Sequence, residues 1–197
     1  MKSIILAAGI GSRLNLSEPK GLLRLPDNET LLARQVRIQK SFGLNSINIV
    51  VGHKNELIEK QITDVNYIHN PDYTDTNTAK SLLLGLQDID DDIIWSNGDL
   101  IYDEEIIGEI IKSDNNTVIV NKARCGEEEV KYSINGSGQI VEISKEVRLF
   151  LRQSKDSSTS KASMPVRSDI PFSETVKYFT ALASSRLIIS SSSVSIP

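Results

Sequence analysis

Three observations in this 197-residue chain predict an α/β fold, a Rossmann-like, mostly parallel sheet flanked by helices. Short apolar runs alternate with helical patterns at the spacing of βαβ units, which implies parallel strands joined by helical crossovers. The first run, Ser3 to Ala8, reads as a buried strand that empties into Gly9-Ile10-Gly11-Ser12-Arg13. Further on, Asn135-Gly136-Ser137-Gly138 separates Val130–Ile134 from Gln139–Ser144. An Asn-Gly turn between alternating segments is a strong hairpin signal, so a small β-hairpin insertion is expected.

Taken in order, Leu22 to Leu25 reads as a short extended piece closed by Pro26-Asp27-Asn28. Thr30 is the expected N-cap of a helix running to about Phe42, with Gly43 ending it. Leu31, Leu32, Val36 and Phe42 form its apolar face, and Arg34, Arg37 and Lys40 its solvated one. Ser46 to Val51 is the second strand, and Asn55 is the cap expected for the helix carrying Leu57, Ile58 and Ile62. Val65–Ile68, Asp92–Asn97 and Thr117–Val120 read as further strands, with a helix over Glu104–Lys112.

The chemistry concentrates at the first loop. Bare backbone N–H groups at Gly9 and Gly11, two residues able to take positive φ, and the Arg13 guanidinium suit an anionic phosphate chain, since amides and Arg both donate. Lys20 supplies a second cation, and Pro19 limits how the loop wanders. As a dinucleotide fingerprint the stretch fails at its third glycine, where Leu14 stands; as a Walker A loop it fails on spacing and lacks Gly-Lys-Ser/Thr. An ordinary strand-to-helix turn is the remaining alternative, against which Arg13 and Lys20 weigh.

Two later segments converge on the same end of the expected sheet. The polar stretch Asn70 to Ser81 follows the third strand, where open α/β sheets bind ligands. Asn77 or Thr78 caps the next helix, and Asn77, Thr78 and Ser81 also carry the amide and hydroxyl groups that read a base edge. Asn97-Gly98-Asp99 ends the strand centred on Ile93-Ile94-Trp95. A carboxylate at the tip of a central parallel strand is costly to desolvate unless a cation or donors compensate. Mg²⁺ bridging triphosphate oxygens fits, because that ion takes one or two carboxylates plus phosphates and waters. A tight Asn-Gly-Asp turn is the bland alternative. The acid runs Asp90–Asp92 and Glu127–Glu129 read as solvated faces.

The stretch Leu6-Ala7-Ala8-Gly9-Ile10-Gly11-Ser12-Arg13-Leu14 with Pro19-Lys20 resembles the signature of the nucleotidyltransferase family, which includes sugar-phosphate and MobA-like NTP transferases. Nine contiguous positions and a correctly spaced Pro-Lys agree. Asn70-Pro71-Asp72-Tyr73 through Thr76-Asn77 to Ser81-Leu82 looks like the phosphocholine cytidylyltransferase-like members; the Gln-Pro-x-Gly more common in sugar-phosphate members is lacking. The resemblance implies transfer of a nucleotide from an NTP, CTP favoured, to a small phosphorylated acceptor such as phosphocholine, with release of pyrophosphate. Sugar-1-phosphate transfer from UTP or dTTP is the alternative, as is a nucleotide-binding protein without turnover. It also implies a nucleotide site at Leu6, Ala7, Ala8, Gly9, Gly11, Ser12, Arg13, Asn77, Thr78 and Ser81, with Arg13, Lys20 and Asp99 catalytic and Asp99 holding Mg²⁺.

That resemblance runs from residue 1 to about 147, the expected nucleotidyltransferase domain. Residues 148–197 contain no Gly and no Asn, yet hold fourteen of the twenty-five serines. Lys+Arg number 15 against 23 Asp+Glu before the break and 7 against 3 after it. Either this is a Ser-rich interaction or disordered tail, or it is out-of-frame translation after a frameshift, the reading favoured. In the family, a second metal-binding Asp and acceptor-gripping residues belong to this region. Elsewhere composition is ordinary: 39% hydrophobic, net charge −4, one cysteine (Cys125) and two histidines (His53 and His69). Nothing is basic enough for nucleic acid, no leader or membrane span is evident, and no Cys or His metal site is built. A cytoplasmic protein is expected.

Overall fold

In a computed structural model, the described residues are 1–11, 17–124, 131–137, 139–144, 174–175 and 181–183. They form two compact units, residues 1–119 with 178–197, and residues 120–177. The first unit holds a five-stranded sheet built from β1 (Lys2–Ala7), β2 (Ile47–Val51), β3 (Asn66–His69), β4 (Ile93–Asn97) and β9 (Ala181–Ala183). Their order is β3-β2-β1-β4-β9, with the first four parallel and β9 antiparallel on β4. The chain therefore lays strands down on one side of β1 and then returns to place β4 on its other side. That reversal creates a crevice beyond the carboxyl ends of β1 and β4, the usual ligand position in open α/β sheets.

Helices α1 (Leu31–Ser41), α2 (Asn55–Gln61), α3 (Thr78–Gly85) and α4 (Glu104–Ile111) connect and cover these strands. Side chains alternate across each strand, so Ile5, Ile49 and Val51 pack with Leu32, Val36 and Ile58 in one layer. Ile4, Leu6, Val50, Ile93 and Trp95 pack towards Leu82 of α3 and Leu86, which caps it, in another. Burial on both faces explains why β1, β2 and β4 read as largely apolar runs. Each such side chain contributes roughly 1.5–3 kcal/mol on leaving water.

Local signals that name a backbone partner are met. Thr30 Oγ1 accepts from the Ala33 N–H at 3.2 Å, and Gly43 takes φ +83° after the first helix. Asn77 Oδ1 accepts from the Lys80 N–H at 3.1 Å, making it the cap of α3. Four expectations need correction. Asn55 does not cap α2: Lys54 does, in the left-handed region at φ 50°, and Asn55 instead donates to Glu59 one turn on. Phe42 leaves the apolar face of α1 because it follows the last helical residue; it lies 39% exposed with its ring over Gly108. Lys20–Leu22 form a single 3-10 turn, leaving only Arg24 in an extended bridge, to Thr30. Thr117–Val120 shows just one bridging residue, Val118, and the strand starts later, at β5 (Asn121–Arg124).

The second unit contains β5, β6 (Lys131–Ile134), β7 (Ile140–Ser144) and β8 (Glu174–Thr175), in the order β5-β8-β6-β7. β6 and β7 form the expected hairpin: Tyr132 pairs with Ile143, and the Asn135 N–H donates to the Gln139 carbonyl at 2.9 Å. Gly138 lies outside the described residues. β8 and β9 fall within the compositionally distinct segment 148–197.

Candidate functional site

A cavity of about 360 Å³ opens at the carboxyl ends of β1 and β4. Leu6, Ala7, Ala8, Gly9 and Gly11 contribute the end of β1 and its loop. Lys20 and Gly21 come from the 3-10 turn, and Asn97, Gly98 and Asp99 from the end of β4. Tyr73, Thr76, Asn77, Thr78 and Ser81 come from the segment after β3 and the start of α3. Every described residue expected at the site thus borders one cavity. Ser12 and Arg13 lie outside the described residues.

Gly11 takes φ +68°, a region that L side chains rarely adopt, and the Lys20 side chain crosses where a Cβ would stand, its Cγ 3.1 Å away. Gly9, in contrast, does not take positive φ. Lys20 Nζ lies 3.9 Å from Asp99 Oδ2, with the two side chains 31% and 45% exposed. At that spacing, and with so much solvent access, the pair is worth little as a stabilising bridge. Its value is positional: a cation and a carboxylate face one cavity.

Their proximity depends on backbone packing that sequence inspection misses. A Cβ on Gly21 would fall 2.6 Å from Leu32 Cδ1 and 3.2 Å from the Gly98 carbonyl oxygen. A Cβ on Gly98 would meet Ala7 Cβ, Leu32 Cδ2 and the Leu6 carbonyl oxygen, each at 3.1 Å. Two glycines therefore let the Lys20 turn and the Asp99 turn close over Leu32. The Gly98 N–H donates to the Leu6 carbonyl at 2.8 Å, tying the turn to β1.

The segment after β3 is organised by Asn70, a buried side chain that reads in the sequence only as part of a turn. Its Nδ2 donates to Thr76 Oγ1 at 2.8 Å and to Ser81 Oγ at 3.1 Å, while its Oδ1 accepts from the Asp72 N–H at 3.0 Å. One amide thus fixes both ends of the segment, including the Ser81 hydroxyl. Tyr73 stands beside it with its ring centroid 5.9 Å from that of His53. His69 ends β3 at the surface, 3.4 Å from Glu59. Of the acidic run, Asp91 holds the chain's own N-terminal ammonium at 2.7 Å, which with the Asp92 N–H pulls its carboxyl below the usual range.

Among the described residues no group of three or more His, Cys, Asp or Glu forms a metal cage. A lone carboxylate beside a cavity is a donor set for Mg²⁺ carried in by phosphates, so Asp99 fits that ion and does not fit a fully protein-ligated metal. No described helix is long and apolar enough to cross a membrane.

Glycine-rich backbone, one lysine and one carboxylate at the turning point of a parallel sheet are chemically suited to phosphorylated ligands. Comparison with known proteins narrows the class. The MobA-like NTP transferase domain family matches residues 3–157, and the chain belongs to that family. CTP:phosphoglutamine cytidylyltransferase of Campylobacter jejuni is 28% identical over 138 residues, 64% of this chain and 54% of that protein. Choline-phosphate cytidylyltransferase of Streptococcus pneumoniae is 38% identical over 89 residues, 43% of this chain and 38% of that protein. The chain thus spans about half the length of the first relative and less of the second. Among solved structures, the inositol-1-phosphate CTP transferase from T. maritima superposes with TM-score 0.64 at 18% identity, covering 91% of this chain and 69% of that one. The CTP:phosphocholine cytidylyltransferase from Streptococcus pneumoniae gives 0.61 at 19%, covering 93% and 70%. These structural likenesses bear on the fold.

Proposed function

We propose that this chain is a nucleotidyltransferase that joins an NTP, with CTP favoured, to a small phosphorylated acceptor such as phosphocholine. The observation that carries the reading is the Lys20–Asp99 pair facing a cavity bordered by Gly9 and Gly11. In the reaction, a phosphate oxygen of the acceptor attacks the α-phosphorus, the α–β bridging bond breaks, and pyrophosphate leaves with the electron pair. The nucleophile is already an anion at neutral pH, so no general base is needed. Catalysis then rests on positioning and charge neutralisation.

Backbone amides at Gly9 and Gly11 cradle the triphosphate. Lys20 holds the α-phosphate or the acceptor phosphate, and Arg13 offsets charge growing on pyrophosphate. Asn77, Thr78 and Ser81 lie near the base or acceptor, Ser81 with its hydroxyl oriented by Asn70. Asp99 would hold Mg²⁺, which when bound neutralises phosphate charge. The cytidylyltransferase names of two relatives, and the Asn70-Pro71-Asp72-Tyr73 segment, support CTP over UTP or dTTP.

Pyrophosphate release with Mg²⁺, measured across the common triphosphates against phosphocholine and sugar phosphates, tests the proposal. Release with one pair identifies both substrates; a UTP or dTTP pair with a sugar 1-phosphate would replace the first reading by its alternative. Triphosphate binding without release would mean a binding module. Lys20→Ala and Asp99→Asn should each lower the rate by about 10²–10³-fold, as loss of one preorganised charge contact does. Near-normal turnover in either would remove that residue from the mechanism.

A further inference from the structure

We infer that Gln35, buried in α1, is the positioning residue that sets the Asp99 carboxylate in place for the metal–triphosphate. The inference rests on the proposed role of Asp99. Gln35 is 1% exposed, although it lies on a helix whose outer face is charged. Its Nε2 donates to the Asn97 carbonyl at 3.0 Å and to the Leu100 carbonyl at 3.2 Å. Its Oε1 accepts from Ser96 Oγ at 2.9 Å. Both N–H groups and the carbonyl of the amide are therefore used, which fixes its orientation.

The two carbonyls held by Nε2 stand on either side of Gly98-Asp99. One side chain, contributed from more than sixty residues earlier, spans the turn that carries the carboxylate. Asp99 itself has little to hold it: among the described residues its carboxylate meets only Lys20 Nζ, at 3.9 Å. Among the described residues, what locates it is its backbone, which is hung from Gln35 and from the Gly98-to-Leu6 bond. Groups that orient a metal-binding carboxylate without touching the metal commonly govern affinity.

The same helix supplies a control. Gln39, one turn along and equally buried, accepts from Ser3 Oγ and donates to the Tyr102 hydroxyl at 3.3 Å, with no side-chain hydrogen bond to residues 96–100. Removing either glutamine amide strands buried polar partners, so both substitutions lower the melting temperature. Only one should change the metal response.

The experiment measures the Mg²⁺ concentration giving half-maximal CTP binding, by calorimetry, for the full chain and for Gln35→Leu, Ser96→Ala, Gln39→Leu and Asp99→Asn. Gln35→Leu should raise it about 10–100-fold, as loss of an outer partner does, and Ser96→Ala, a smaller change that keeps both Nε2 bonds, about threefold. Amide hydrogen exchange at residues 98–100 should speed up in Gln35→Leu and remain unchanged in Gln39→Leu. Wild-type Mg²⁺ dependence in Ser96→Ala together with Gln35→Leu, or an equal shift in Gln39→Leu, overturns the inference while leaving the role of Asp99 intact. An unchanged Mg²⁺ response in Asp99→Asn overturns the role of Asp99 and this inference with it.

Discussion

Around the cavity, Lys20 and Asp99 come together because Gly21 and Gly98 have no side chains to keep their turns apart. The segment after β3 is shaped by the reverse device, a buried amide at Asn70 that bonds to Thr76, Ser81 and the Asp72 backbone. The first arrangement is steric: it is enforced by Leu32 below and has no slack for even one methyl group. The second is a set of hydrogen bonds that hold while each partner keeps its polar atom. On the proposed function, charge placement falls to the rigid arrangement and ligand reading to the adjustable one.

Substitutions can break or sharpen that contrast. The largest effect is expected from Gly21→Val, whose new atoms overlap Leu32 and the Gly98 carbonyl. Overpacking should cost about 1–3 kcal/mol in denaturant unfolding. Separation of Lys20 from Asp99 should lower kcat for pyrophosphate release by roughly 10²-fold, the scale of an ångström-sized misplacement. Asn70→Ala comes next, costing about 1–3 kcal/mol because the Thr76 and Ser81 hydroxyls and the Asp72 N–H lose a partner. Its kinetic signature should be a raised KM for the triphosphate with kcat nearly kept; the opposite split would erase the distinction between the two arrangements. Thr30→Ala marks the lower bound, since that cap supports α1 from a distance: about 1 kcal/mol by thermal unfolding, and turnover within twofold of wild type.

The parts legible in the sequence are those whose cause is local. Ser3–Ala8 as strand, Thr30 and Asn77 as caps and Asn135-Gly136 as a turn all follow from residues within a few positions of one another. So does the gathering of Gly9, Gly11, Lys20, Asn77 and Asp99 at one end of the sheet, once strands and helices alternate. What escapes is set by distant packing. Gln35 reads as one more polar residue of an amphipathic helix until β4 arrives beside it, and Asn70 reads as a turn former until Ser81 folds back. The α2 cap misleads because Asn55 is a good cap by type, yet the chain turns one residue earlier, at Lys54. Nothing in its neighbours announces that lysine's positive φ, whose side chain then reaches the Ser17 carbonyl at 2.6 Å.

The antiparallel strand β9 has a consequence for solubility. Ala181–Ala183 occupies the flank of Ile93–Trp95 that faces away from β1, so the strand delivering Asp99 is bonded on both sides. Uncovered, that flank would offer a row of unpaired amides and carbonyls to any strand able to dock there, including the same strand of another molecule. A chain cut after residue 180 should therefore elute at larger apparent size than the full chain in size-exclusion chromatography. Three residues remote from the chemistry would in this way act as a guard against sheet-to-sheet self-association.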